Sequence, residues 1–164
     1  MTSGPAAGRA RHSAPPTALR RRATLLAVIG AGGAIGAAAR YGTVLALPPR
    51  LDAFPAATFL VNVVGTVILG AVAAVPADWL SAHALMRPAI GTGFCGGLTT
   101  FSTMTLEIYQ RSPAHSTLAA TYAVTSLVAA PVCAWAGFSL TQTARAVSRK
   151  RRASPGATKG GTRK

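Results

Sequence analysis

Four long apolar stretches, almost free of charged residues, constrain this chain more than any other feature of its sequence. A helix needs about 20 mostly apolar residues to cross the hydrocarbon core of a membrane. The four stretches cover residues 23–47, 54–75, 88–107 and 113–144. Charged residues make up 12% of the chain, against about a quarter in a typical soluble domain. The sequence therefore predicts an all-α integral membrane protein with four transmembrane helices.

The segments outside the stretches are too short to hold a soluble domain, so residues 23–144 are expected to form one membrane domain. Residues 1–22 and 145–164 are rich in Arg, Lys, Ser, Gly, Pro and Ala, which is typical of disordered basic tails. The arginines before the first stretch also fit a secretory signal, even a twin-arginine one. That stretch is too long for a signal peptide, however, and three more apolar stretches follow it.

The net charge of +14 raises the possibility of nucleic-acid binding. The basic tails lack interleaved aromatic residues and any nucleic-acid-binding module, so charge alone would carry that interpretation. Basic residues that flank a membrane span are expected on the cytoplasmic side, where they meet anionic lipid. We therefore expect contact with membrane lipid and not with nucleic acid, and cytoplasmic termini in a bacterial inner membrane.

Catalytic and metal-binding side chains are scarce. Asp52, Asp78 and Glu107 are the acidic residues of the chain, and no two of them share a helix face. No spacing of Cys and His is typical of a zinc site. We expect that the chain is not an enzyme. Two pairs of glycines at helical spacing, Gly32 with Gly36 and Gly93 with Gly97, predict close helix packing instead.

The third stretch contains the most informative pattern. Two adjacent glycines precede four hydroxyl residues, namely Thr99, Thr100, Ser102 and Thr103. Glycine loosens a helix, and hydroxyl side chains compete for its backbone hydrogen bonds. A break inside a membrane is tolerated only where it is buried or lines a polar cavity. Freed carbonyls suit a small cation such as sodium, whereas hydroxyls and freed amides suit an anion. A helix-packing face of small residues is the alternative interpretation.

The segment Gly93-Phe-Cys-Gly-Gly-Leu-Thr-Thr-Phe-Ser-Thr103 resembles the signature of the Fluc (CrcB) family of bacterial fluoride channels. Three other pieces agree with it: Gly36-Ala-Ala-Ala-Arg40-Tyr41, Asn62 within Val61-Asn-Val-Val-Gly65, and Tyr122 with Ser126. The resemblance covers residues 25–140, in order and in all four stretches. It implies a fluoride-selective passive channel that exports fluoride and lowers its cytoplasmic concentration. It also implies an antiparallel dimer whose third helix is broken near the membrane midplane.

The resemblance further implies roles for individual residues. Backbone carbonyls of Gly96 and Thr99 would hold a structural, untransported sodium ion at the dimer centre. The pore-lining residues would be Asn62, Phe101, Ser102, Thr103, Met104, Tyr122 and Ser126. Arg40 would lie at a vestibule, although it could equally snorkel to the membrane surface. Glu107 would lie beyond the polar residues or cap its helix at the interface.

These residue types suit the transport of fluoride, which is small and heavily hydrated. A pore must replace the lost water with several donors without a charge that traps the ion. Asn and hydroxyl side chains supply such donors, and the positive edge of a phenyl ring can meet an anion at Phe101. Tyr122 and Ser126 are four residues apart and therefore share one helix face.

Two features favour an oppositely oriented homologous subunit over a second copy of this chain as the partner. With four spans, the side that holds both termini carries fourteen Lys and Arg residues, against Arg50 and Arg111 on the other side. Such a bias favours one fixed orientation. The family pattern usually has a second phenylalanine where this chain has Met104, so this chain lacks one of the two aromatic side chains of the pattern.

Two other classes of protein remain as alternatives. A small proton-coupled multidrug exporter also has four spans and pairs antiparallel, but its mechanism needs a carboxylate in the first span, and this first span has none. A membrane scaffold that transports nothing would use the basic tails to bind a partner. It would not need the pattern of glycines and hydroxyls in the third stretch.

Overall fold

The computed structural model describes residues 16–76 and 84–153, and its regular structure there is helical throughout. Helix α1 covers Pro16–Ala46 and α2 covers Ala56–Ala73. Helix α3 begins with wide π-type turns over Pro88–Cys95 and continues through Gly96–Leu98. Helix α4 covers Phe101–Arg111, and α5 covers Ser116–Ala153. The remaining parts of the predicted tails, 1–15 and 154–164, and residues 77–83 of the second loop lie outside the described residues.

Within the described residues, three helical segments are long and apolar enough to cross a membrane. They are Thr17–Ala46, Ala56–Ala73 and Ser116–Lys150. The third predicted span is divided between α3 and α4, and α4 alone, with 11 residues, extends only about 16 Å. The prediction of an all-helical membrane protein is confirmed for this part of the chain.

The first and last helices extend further than the sequence interpretation placed them. Residues 16–22 are helical and belong to α1, and α5 continues past residue 145 to Ala153. Both extensions are rich in Arg and Ala, which are good helix formers. Adding residues to an existing helix avoids the cost of nucleation, so the apolar helices propagate into the basic segments.

Glycines set the distances between the helices. Helix α1 packs mainly on α3, and α2 packs mainly on α5. A Cβ atom on Gly36 would collide with the carbonyl of Phe94, and one on Gly97 with the carbonyl of Gly33. Gly70 on α2 lies equally close to the backbone of α5. The predicted close packing through small residues is therefore confirmed.

Candidate functional site

The centre of the site is an interruption between α3 and α4, which we call the break and which consists of Thr99 and Thr100. Both residues have extended backbone conformations. Asn62 of α2 binds this segment at two points: its Nδ2 donates to the Thr100 carbonyl (3.0 Å), and its Oδ1 accepts the Thr100 amide (2.8 Å). In a continuous helix that amide would donate to the Gly96 carbonyl. Asn62 therefore satisfies the backbone where the helix stops.

Hydroxyl groups organise the start of α4. The Thr100 Oγ1 accepts the Thr103 amide at 3.1 Å and so caps the helix. The same hydroxyl donates to the Thr103 hydroxyl (3.0 Å) and lies 3.3 Å from the hydroxyl of Ser102. The Thr99 hydroxyl donates to the Cys95 carbonyl instead. The positive end of the α4 dipole thus lies at the break, surrounded by hydroxyls.

A cavity of about 500 Å³ lies beside the break. Its lining includes Asn62, Thr99, Thr100, Phe101, Met104 and Ser126. The Phe101 side chain is 70% exposed, whereas Met104 is buried. The Ser126 hydroxyl is buried, with its residue 8% exposed, and it is without a hydrogen-bond partner in the described part of the chain.

A second polar cluster lies about two helical turns beyond the break on α4 and surrounds Glu107. This residue is 7% exposed. Its carboxylate accepts the Thr58 hydroxyl (2.8 Å) and the Tyr122 hydroxyl (2.9 Å). The Tyr122 side chain is fully buried and packs edge-on against the Phe54 ring. Glu107 therefore lies inside the protein, between α2 and α5.

The two clusters are connected by pairs of residues one turn apart on three helices. Asn62 and Thr58 form such a pair on α2, Thr103 and Glu107 on α4, and Ser126 and Tyr122 on α5. Side chains four residues apart share a helix face. We refer to these six residues as the polar path. It runs from the cavity beside the break to the Glu107 carboxylate.

The end of α4 is held by Arg111, whose side chain is 1% exposed. Its guanidinium donates to three backbone carbonyls, those of Arg50 (2.6 Å), Ala53 (3.2 Å) and Glu107 (2.9 Å). The side chain of Arg50 is exposed and forms an ion pair with Asp52 at 2.8 Å. That guanidinium holds the pKa of the Asp52 carboxyl below its usual range.

The residues expected to act together from the sequence are mostly, but not all, close in space. The cavity is lined by Asn62, Phe101, Met104 and Ser126. The Thr103 hydroxyl is hydrogen-bonded to Thr100, which also lines it. Ser102 and Gly96 are exposed at the same break. Arg40 is partly exposed on α1 and is not part of the cavity lining.

Sequence reasoning missed Thr58 and the buried role of Arg111. Their spacing was a usable signal, because Thr58 lies four residues before Asn62 and Arg111 four residues after Glu107. Such a spacing marks a shared helix face, but it does not show which face is buried.

Comparison with known proteins matches most of this chain to one family. Residues 27–138 match the family model described as CrcB-like protein, Camphor Resistance (CrcB). The chain is 46% identical over 87 residues to Fluoride-specific ion channel FluC 2 of Streptomyces avermitilis, a match that covers 53% of this chain and 55% of that protein. It is 38% identical over 135 residues to Fluoride-specific ion channel FluC 1 of Streptomyces coelicolor, with 79% and 88% covered.

A third relative, Fluoride-specific ion channel FluC 1 of Mycobacterium bovis, is 44% identical over 103 residues, with 62% of this chain and 78% of that protein covered. The family match contains the break, the cavity and all six residues of the polar path. The chain is thus a member of the CrcB family.

Proposed function

We propose that this protein is a fluoride-selective passive channel that lets fluoride leave the cytoplasm. The observation that carries the proposal is the polar path, a series of buried and half-buried polar side chains on three helices that begins at the cavity lined by the exposed Phe101. Hydrogen fluoride enters cells uncharged and dissociates at near-neutral pH, so the trapped anion needs a route out. Membership in a family whose curated relatives are ion channels also agrees with the prediction that the chain is not an enzyme.

The break offers donors to an anion that has lost its water. The N-terminus of α4 points its positive dipole end toward the cavity. The Ser126 hydroxyl lines the same cavity and has an unused donor within the described residues. A buried polar group without a partner is costly, so a ligand that accepts its hydrogen bond is expected there. The edge of the Phe101 ring adds a weak positive surface and excludes larger anions.

The working unit in this proposal is an antiparallel dimer with the break near the membrane midplane. In that arrangement α3 and α4 together act as the third of four spans. The exposed Phe101 ring and the open cavity beside it need a covering surface, and a second subunit supplies one. The charge bias of fourteen to two favours an oppositely oriented homologous subunit as the partner and cytoplasmic termini in the inner membrane.

A structural sodium ion at the dimer centre fits the residues of the break. Because the Thr100 amide donates to Asn62, the Gly96 carbonyl loses its helical donor. Gly96 is exposed, and no atom lies within 4 Å of a Cβ placed on it. Carbonyl oxygens are ligands that suit sodium at an interrupted helix. The carbonyls of Gly96 and Thr99 would hold the ion, which supplies positive charge at the interface.

The proposal is tested by fluoride efflux from liposomes. The protein is purified as the assembly that it forms in its host, reconstituted with internal fluoride, and followed with a fluoride electrode. We expect rapid fluoride efflux and much slower chloride efflux, as well as rescue of a fluoride-sensitive host strain. Chloride efflux as fast as that of fluoride would contradict the proposal.

A further inference from the structure

Among the described residues, Arg111 carries a buried charge that lies outside the polar path. Arg111 is almost completely buried, and the hydrogen bonds of its guanidinium go to carbonyls of the α1–α2 loop and of α4. Carbonyls are uncharged, so these contacts hold the side chain without neutralising it. A buried charge is costly unless an opposite charge compensates for it.

Glu107 is the acidic residue that can provide this compensation. Of the acidic residues that the structure describes, the other one, Asp52, is paired with the exposed Arg50. The Glu107 carboxylate lies one turn before Arg111 on α4, and the guanidinium donates to the backbone of Glu107 itself at 2.9 Å. Both side chains are buried, where charges interact more strongly than in water.

We propose that Arg111 is the counter-charge of Glu107 and thereby permits fluoride to pass the carboxylate. This inference rests on the proposed channel function. The Glu107 carboxylate lies on the polar path, and its negative charge alone would repel an anion. Thr58 and Tyr122 donate to the carboxylate oxygens, and the described residues show no ion pair between Glu107 and Arg111. The arginine therefore acts through its field and not by a direct ion pair. Arg111 is a positioning residue that does not contact fluoride.

Three variants separate the charge of Arg111 from its role as a clamp, by which we mean its hydrogen bonds to the carbonyls of the α1–α2 loop. Arg111→Gln removes the charge, and we expect fluoride efflux to fall by about tenfold or more. Arg111→Lys keeps the charge but cannot reproduce the three-carbonyl contact, and should retain most of the efflux. The double variant Glu107→Gln with Arg111→Gln removes both charges and should recover most of the efflux lost in Arg111→Gln.

The matched control is Arg50→Gln. Arg50 lies on the α1–α2 loop that Arg111 contacts, and its own side chain is exposed and screened by solvent. This variant should conduct like the wild-type protein. All variants are compared at equal amounts of assembled protein, judged by size-exclusion chromatography. If Arg111→Gln fails to assemble, the efflux through assembled Arg111→Lys shows whether the positive charge supports efflux without the clamp.

Two results would overturn the inference. One is wild-type efflux through Arg111→Gln. The other is an equal loss of efflux in Arg111→Lys and in the double variant, which would assign Arg111 to the clamp alone. Failure of the proposed function is distinguishable from both, because the wild-type protein itself would then show no fluoride efflux.

Discussion

At the scale of single residues, Asn62 illustrates how one side chain serves two purposes. Its amide was expected from the sequence to face the pore as a donor. In the structure its oxygen accepts the Thr100 amide and one of its N–H bonds goes to the Thr100 carbonyl. The second N–H of the same group remains for another acceptor. Asn62 thus holds the break open and lines the cavity beside it.

Asn62→Asp should strongly reduce fluoride efflux. The carboxylate cannot donate to the Thr100 carbonyl, and its charge repels the permeating anion. Loss of the paired donor should also lower the free energy of unfolding by about 1–3 kcal/mol. Efflux is measured in liposomes and stability by thermal denaturation in detergent. Wild-type values for both would mean that the permeation route lies elsewhere.

Phe101→Ile should cut efflux severely and leave the assembly intact. The substitution removes the positive ring edge, while the 70% exposure of Phe101 means that little packing within the subunit is lost. The control is Phe138→Ile, since Phe138 is also an exposed aromatic residue but does not line the cavity. Equal efflux through both variants would remove Phe101 from the proposed pore.

At the scale of helices, contact between backbones holds the end of α3 against α1, next to the break. Gly97 of α3 leaves no room for a side chain against Gly33 of α1. Helix association in lipid depends on such close packing, because lipid tails are as apolar as the helices themselves. The contact fixes the end of α3 shortly before Thr100, whose backbone carbonyl and amide are hydrogen-bonded to Asn62.

Gly97→Ala should destabilise the protein, whereas Gly30→Ala on α1 should not. A Cβ on Gly97 would collide with the Gly33 backbone, but one on Gly30 meets no atom within 4 Å. Overpacking of this kind costs about 1–3 kcal/mol. The measurement is the fraction of monodisperse protein that remains after heating in detergent. Equal heat resistance of the two variants would contradict the packing argument.

At the scale of the whole molecule, the unequal distribution of charge and the open cavity both agree with the proposed antiparallel dimer. The buried Arg111 stays at the end of α4, near the α1–α2 loop. The basic residues described at the start of α1 and near the end of α5 lie at the opposite end of these helices. A chain with so unequal a charge distribution is expected to insert in one orientation.

A reporter fused after Lys164 should give only a cytoplasmic signal. By the positive-inside rule, we expect the fourteen basic residues on the side of the termini to keep that side in the cytoplasm. The measurement compares a reporter that is active in the cytoplasm with one that is active outside it. Comparable signals from both, or robust fluoride efflux from this chain purified alone, would argue against a separate, oppositely oriented partner.

The sequence by itself determined the all-helical membrane class, and the glycines and threonines of the third stretch favoured an interruption there. Hydropathy and the conformational preferences of glycine and threonine are local properties, so a short window of residues carries them. The sequence did not mark where the first helix begins or where the last one ends. Hydropathy does not change at Pro16, where α1 begins, or at Ala153, where α5 ends.

Only the tertiary structure decided which polar groups meet. Thr58 and Glu107 are 49 residues apart in the chain, yet they share a buried hydrogen bond. Arg111, which resembles a topology signal in the sequence, is buried by contacts with a loop about 60 residues earlier. Such partners depend on how the helices are rotated and how closely they approach. Those quantities come from the packing of all helices at once and are not encoded in any single segment.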